Sequence, residues 1–219
     1  MINHQDKIIF FHIPKAAGYS IGTYFGTYRN EPTDHRSLLE VLPANVVLTS
    51  YLQDIDLYLS KRFVRNWLQG RERVSLETFT TYSKIAVVRN PYSRLVSWYK
   101  NVLRDPNHLK VHGGQHLTFE DFVNQYLTRS WALRPQSNWV STPDKRFTVN
   151  HVIKFENILD GLKETSEQIG YHTEKPLPKL HRAMSYDWRE FYEDSKIRSK
   201  VNTHFKDDFD SFEYSTTVY

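Results

Sequence analysis

The sequence predicts an α/β protein, a three-layer sandwich with a mainly parallel central sheet. Three compact apolar runs carry that prediction, at residues 7–13, 84–89 and 149–155. Each is the length of a strand; the first two are apolar enough to be buried on both faces, and the third is a strand candidate. Each runs into a proline or polar break, and stretches with helical spacing follow. Strand alternating with helix, without an internal repeat or low-complexity tract, is the pattern of parallel strands joined by helical crossovers.

The elements follow in order. Lys7 to Ile13 is the first strand, closed by Pro14. Ala17-Gly18 turns the chain, and Tyr19 to Phe25 forms a helix that stops near Gly26. Glu31 to Asp34 reads as a loop, with Thr33 or Asp34 capping a helix from His35 to Val41 that Pro43 closes. Asn45 to Tyr51 is expected as a short strand. Asp54 to Leu68 sets Ile55, Tyr58, Leu59, Phe63 and Leu68 on one side of an amphipathic helix, and a further helix covers Leu76 to Tyr82. Lys84 to Arg89 is the second buried strand. Tyr92 to Leu103 is a helix ended by Asp105-Pro106, and Gly113-Gly114 make Leu109 to Leu117 a loop. Thr118-Phe-Glu-Asp121 has the capping-box form and starts a helix to Leu127. Val149 to Phe155 is the third strand, with a helix from Asn157 to Ile169. Pro176 and Pro178 mark an irregular segment, and helices at Asp187–Glu193 and Ser195–Phe209 come last. For 219 residues, one domain over 1–219 is the economical expectation.

Composition narrows the function classes. With 39% hydrophobic and 25% charged residues the chain is globular rather than disordered. A net charge of +4 suits an anionic ligand, but no dense Lys/Arg run marks the chain for nucleic acid. The absence of cysteine excludes disulfides, thiolate metal sites and a Cys nucleophile, and fits a reducing, cytoplasmic setting. The apolar run Ile8–Ile13 is too short for a membrane span or a signal h-region, so a soluble protein without a membrane anchor is expected.

Two segments carry chemistry. His12-Ile-Pro-Lys-Ala-Ala-Gly-Tyr-Ser-Ile21 lies between a strand and a helix. Backbone N–H groups at such a junction lie outside the helix ladder and favour an anion. Lys15 adds a full charge, Gly18 a close backbone approach and Ser20 a hydroxyl. This is not a Walker A loop: Lys15 precedes Gly18, the first glycine is missing, and no Gly-Lys-Ser/Thr follows. The second segment is Val88-Arg-Asn-Pro-Tyr-Ser-Arg-Leu-Val-Ser97, with Arg89 at the C-terminal end of a strand, where ligands bind in open α/β sheets. Ser93 and Ser97 share a helix face that can turn toward Arg89, giving a guanidinium fork and hydroxyls for a phosphate. The plain structural alternative makes Arg89 and Arg94 ordinary ion-pair residues.

Together the two segments resemble the sulfotransferases. Pro14-Lys15-Ala16-Ala17-Gly18-Tyr19-Ser20 looks like their 5′-phosphosulfate loop, and Arg89 to Ser97 like their 3′-phosphate element. The carbohydrate sulfotransferase branch, with HIPKTAGTS-like and RNPYxRLVS-like motifs, is the nearest likeness. Weaker similarity touches Gln136, Phe155-Glu156-Asn157 and the stretch from Asp208 to Tyr214. The resemblance implies a P-loop-like sulfotransferase fold and a sulfuryl donor, 3′-phosphoadenosine 5′-phosphosulfate, with no metal. It implies that Lys15 and backbone groups from Ala16, Ala17, Gly18, Tyr19, Ser20 and Ile21 hold the 5′ side. Lys15 then stabilises charge on the bridging oxygen, and Arg89 and Ser97 hold the 3′-phosphate. The acceptor implied is a hydroxyl on a small molecule or glycan.

In-line attack by a hydroxyl needs a base with a pKa near neutrality, most often His. His35, in Thr33-Asp34-His35-Arg36-Ser37, is chosen from ten histidines because it resembles the Lys-His-Ala-Thr element of related bacterial sequences. Asp34 could hold it. His12, Asp105 and Glu40 are the alternatives. His108, His112 and His116 have the spacing of a helical metal face, but the two glycines argue against a helix there, and no metal is expected. Trp131 and Trp139 could stack on sugar faces, although core packing explains them better. The rival readings are a P-loop-type nucleoside or sugar kinase and a nucleotide-binding protein without catalysis.

Overall fold

The computed structural model describes residues 1–27, 34–71, 73–174 and 186–218. Four strands form one sheet in the order β1-β2-β3-β4. They are β1 (Ile2–Asn3), β2 (Ile8–Phe11), β3 (Ser83–Val88) and β4 (His151–Lys154). β1 pairs with β2 antiparallel, while β2–β3 and β3–β4 are parallel, with Phe10 opposite Ile85 and Ile85 opposite His151. The three expected strands are therefore the parallel set. β1 went unforeseen because two residues carry no period.

Helices flank the sheet, giving the expected α/β sandwich. They are α1 (Gly18–Tyr24), α2 (Leu38–Val41), α3 (Ala44–Ser50), α4 (Leu57–Leu68), α5 (Leu76–Thr81), α6 (Pro91–Arg104), α7 (Pro106–Val111), α8 (Phe119–Tyr126), α9 (Ser137–Val140), α10 (Ile158–Gln168), α11 (Ser195–His204) and α12 (Lys206–Phe212). β2 and β3 are buried almost throughout, as parallel strands covered on both faces must be. Their side chains pack with Ile21, Phe25, Leu38, Leu42, Phe79 and Leu162. A second apolar cluster joins α6, α8, α11 and α12 through Tyr92, Leu95, Phe122, Val201, Phe205 and Phe209. Trp131 and Tyr214 pack against both.

The caps explain most boundaries. Asn90 accepts from the N–H groups of Tyr92 and Ser93, with Pro91 in the first turn, so α6 starts where the strand stops. Thr118 accepts from Asp121 N–H at the start of α8. Four expectations need correction. Residues 45–51 are not a strand: 45–50 lie in α3 and Tyr51 is its C-cap, Pro43 occupies the N-cap, and the Thr49 hydroxyl donates back to the carbonyls of Asn45 and Val46. The helix expected from His35 begins at Leu38, because Ser37 N–H and hydroxyl both donate to Glu40. The loop expected over 109–117 starts only after Val111, since Asp105 caps α7, and Gly113 and Gly114 (φ 89° and 73°) end it. The last helix is two, broken at Phe205. The Thr33 cap, the loop over 31–33, and Pro176 and Pro178 lie outside the described residues. Among the described residues no helix is long and apolar enough to cross a membrane.

Candidate active site

β2 delivers the chain into the loop at 12–17. Lys15 and Ala17 have left-handed φ of 67° and 57°, and Ala16 between them does not. An L-residue held there costs about 1–2 kcal/mol, and strain of this kind collects at ligand clamps. Successive N–H groups in backbone that changes hand open to one side and favour an anion. The first bond of α1 runs from Ile21 N–H to the Ala17 carbonyl at 3.3 Å, so the N–H groups of Gly18, Tyr19 and Ser20 come ahead of the ladder. Ile21 itself is thereby committed, and its side chain is fully buried. Ala16 is buried too, with its N–H turned back to the Ile13 carbonyl at 3.4 Å. These two residues build the scaffold. The Tyr19 side chain points to solvent, 62% exposed.

Gly18 is required for a reason the sequence did not show. A Cβ there would sit 1.7 Å from Cδ2 of His12. The missing side chain makes room for a buried imidazole.

Arg89 emerges from the end of β3 and ties the two segments together. Its Nε donates to Ser93 Oγ at 2.9 Å and its Nη1 to the Lys15 carbonyl at 3.1 Å. The guanidinium lies over the Phe155 ring, 4.3 Å from its centroid. Burial lowers its pKa from the ordinary arginine value, and Glu156 opposes that shift. Lys15 Nζ donates to Asn101 Oδ1 at 3.0 Å. Burial, then the charges of Arg104 and Arg89, bring the Lys15 ammonium down to about 8. Cations held this close repel one another, and an anion among them relieves the repulsion.

All of this opens onto one groove of about 1870 Å³ at the C-terminal ends of β2, β3 and β4. Lys15, Ala17 and Ser20 line it from the first loop, and Arg89, Ser93 and Ser97 from the second segment. Phe155, Tyr186 and Trp188 add aromatic faces. The profile of the Sulfotransferase family matches residues 1–215. The chain belongs to that family. No curated protein matches it. Among solved structures, a sulfotransferase from Alicyclobacillus acidocaldarius aligns over 95% of this chain and 89% of its own at 15% identity. The TM-score of that alignment is 0.30.

In this sulfotransferase the histidines form a separate group beside the loop. The rings of His12 and His35 are 4.2 Å apart, and that of Trp131 is 5.3 Å from His35. His35 Nδ1 lies 3.0 Å from the His12 carbonyl. A carbonyl only accepts, so Nδ1 carries the proton and Nε2 keeps its lone pair. Burial lowers the His35 pKa from 6.5, partly offset by that hydrogen bond. His12 is pushed well below 6.5 by burial and by His35. His35 is not among the residues lining the groove. Asp34 does not hold it: its carboxylate pairs with Arg36 at 2.7 Å and Arg71 at 3.0 Å. Glu40 is buried against Arg62 at 2.6 Å, and Asp105 is the α7 cap. Trp139 is buried and donates to the His35 carbonyl at 3.2 Å. Among the described residues no three His, Asp or Glu side chains are grouped to hold a metal ion. His108 and His112 instead pack their rings on Trp98, at 4.9 and 6.2 Å.

Several lining residues escaped sequence reasoning. Lys100, Asn101 and Arg104 share the groove with Ser93 and Ser97. Steps of three and four from Ser93 lead to all of them, so the helix period alone could have found this face. Tyr186 and Trp188 had no such signal.

Proposed function

We propose that this protein transfers a sulfuryl group from 3′-phosphoadenosine 5′-phosphosulfate to a hydroxyl of a carbohydrate acceptor, with residues 1–219 acting as one catalytic unit. The observation that carries the reading is that Lys15, Ala17 and Ser20 of the first loop and Arg89, Ser93 and Ser97 of the second segment line one groove, in a chain of the Sulfotransferase family. The donor needs both, since its 5′-phosphosulfate and 3′-phosphate are separate. The residues fit it. Lys15 with the N–H groups of Ala17 to Ser20 suits the 5′ side, and Arg89 with Ser93 and Ser97 suits the 3′-phosphate. Phe155 and Trp188 offer faces for a purine. When bound, the donor supplies an activated sulfuryl group.

Lys15 holds a positive charge where the leaving oxygen becomes negative, and its depressed pKa lets it share or give up a proton near neutral pH. His35 is the general base of this reading: its lowered pKa leaves it neutral at pH 7 with a lone pair on Nε2, and it stands beside the groove and not in its lining, so the acceptor hydroxyl has to reach it from the His12 and Trp131 side. Ser93 and Asn101 hold Arg89 and Lys15 in place. The carbohydrate class rests on the likeness of the two motifs to that branch.

The test is a thermal shift with 3′,5′-ADP in the absence of metal, against 5′-AMP and Mg-ATP. At 100 times its dissociation constant a ligand stabilises by about 2.7 kcal/mol, a rise of roughly 5–10 °C in a chain of this size. A shift with 3′,5′-ADP alone supports the assignment. A shift with Mg-ATP alone would overturn it in favour of a kinase.

A further inference from the structure

At Arg89 the β-ladder has run out. The last pairs of β3 are Ala86 with Phe11 and Val88 with Lys154. The next backbone groups still need partners, and side chains supply them. Arg89 N–H donates to Gln136 Oε1 at 2.9 Å, and Gln136 Nε2 donates to the Arg89 carbonyl at 2.8 Å. The Gln136 amide thus mimics one peptide of a neighbouring strand. One residue on, Asn90 N–H donates to Glu156 Oε1 at 2.8 Å.

Both partners are held in turn by the C-terminal stretch. Asp208, on α12, accepts from Gln136 N–H at 2.8 Å, from Gln136 Nε2 at 3.2 Å and from Ser137 N–H at 2.9 Å. Gln136 and Asp208 are both fully buried. Tyr214, just beyond α12, donates its hydroxyl to Glu156 Oε2 at 2.8 Å. Three consecutive polar groups of the 89–90 backbone therefore depend on two relays that end more than 100 residues away.

We propose that the C-terminal segment from Asp208 to Tyr214 positions the 3′-phosphate anchor through the relays Asp208–Gln136–Arg89 and Tyr214–Glu156–Asn90. Gln136, Asp208 and Tyr214 are positioning residues and need not touch the ligand. They fix the backbone that aims the Arg89 guanidinium and starts α6, the helix carrying Ser93 and Ser97. This rests on the assignment of Arg89 to the 3′-phosphate.

The test uses the full chain and isothermal titration with 3′,5′-ADP and 5′-AMP, which differ only in the 3′-phosphate. Gln136→Glu keeps the shape and the acceptor for Arg89 N–H, but sets an oxygen against the Arg89 carbonyl. Tyr214→Phe removes only the hydroxyl at the edge of the second relay and is the milder change. Each variant is expected to reduce the preference for 3′,5′-ADP over 5′-AMP, about tenfold for Gln136→Glu and by a smaller factor for Tyr214→Phe. Affinity for 5′-AMP should hardly change. If both ligands weaken alike, or Tm falls while the preference survives in both variants, the relays are only structural and the proposal is overturned. A wild-type protein that binds the two nucleotides equally would instead refute the Arg89 assignment itself, and this proposal with it.

Discussion

Gly18→Ala tests the packing beneath the loop with a single methyl group. The added carbon would stand 1.7 Å from His12 Cδ2, 2.3 Å from Nε2 and 2.4 Å from Cγ. Ordinary contact begins near 3.4 Å, so ring or helix must give way by about 1.7 Å. Neither can do so easily. His12 is only 6% exposed, its ring is backed by His35 at 4.2 Å, and its carbonyl accepts a hydrogen bond from His35 Nδ1–H. Overpacking costs about 1–3 kcal/mol, and the rigid surroundings place this case at the upper end. At 2–4 °C per kcal/mol, Tm should fall by roughly 6–12 °C. Urea unfolding measures the cost, and the thermal shift with 3′,5′-ADP measures damage to the loop. Removing the ring in the double variant Gly18→Ala/His12→Ala should recover part of the loss, with a coupling of about 1–3 kcal/mol. A single variant within about 0.5 kcal/mol of wild type, or strictly additive losses in the double, would refute the reasoning.

Lys15 sets a pH dependence. Its pKa of about 8 in the free protein rises when a phosphate binds beside it, so affinity for 3′,5′-ADP is full below pH 8 and falls as pH rises through it. Titrations between pH 7 and 9.5 should show the decline in wild type and a flat line in Lys15→Ala; a decline that survives the substitution assigns it to another group. Lys15→Ala should also reduce turnover far more than nucleotide affinity, and equal losses would remove its role at the leaving oxygen. Arg89→Ala should weaken 3′,5′-ADP by about 10–100-fold and 5′-AMP little, the loss of a charge-assisted fork. Equal weakening in calorimetry would make Arg89 structural. His35→Ala should abolish transfer and leave the thermal shift with 3′,5′-ADP intact. Because the His35 pKa lies below 6.5, the acid limb of the wild-type rate profile should fall below that pH. Retained activity in the variant would move the base to another group.

Local chemistry made the fold readable. The runs at 7–13, 84–89 and 149–155 read as strands and hold β2, β3 and β4, of which β2 and β3 are buried and β4, at the sheet edge, is partly exposed; Asn90-Pro91 and Thr118 announced the helices they cap. Both segments proposed to hold anions were legible for the same reason: a strand end, a turn and a helix start are consecutive in sequence, so their residues had to be neighbours. Residues 45–51 were misread because the Pro43 start and the backbonding of Thr49 outweighed an apolar run short enough to pass for a strand.

What the sequence alone determined was the three parallel strands, most of the helices between them and the two strand–turn–helix segments at 12–21 and 88–97, each carried by fewer than a dozen adjacent residues. Only the tertiary structure decided that Arg89 reaches the Lys15 carbonyl and that Gln136 completes the end of β3. Nothing in the sequence shows that Asp34 pairs with Arg71 or that Tyr214 ties down Glu156. The physical reason is distance along the chain. Propensity and period act over a few residues, whereas these contacts join groups separated by 74, 47, 37 and 58 positions. They exist only once burial in a common core has brought the elements together and left their polar groups in need of partners.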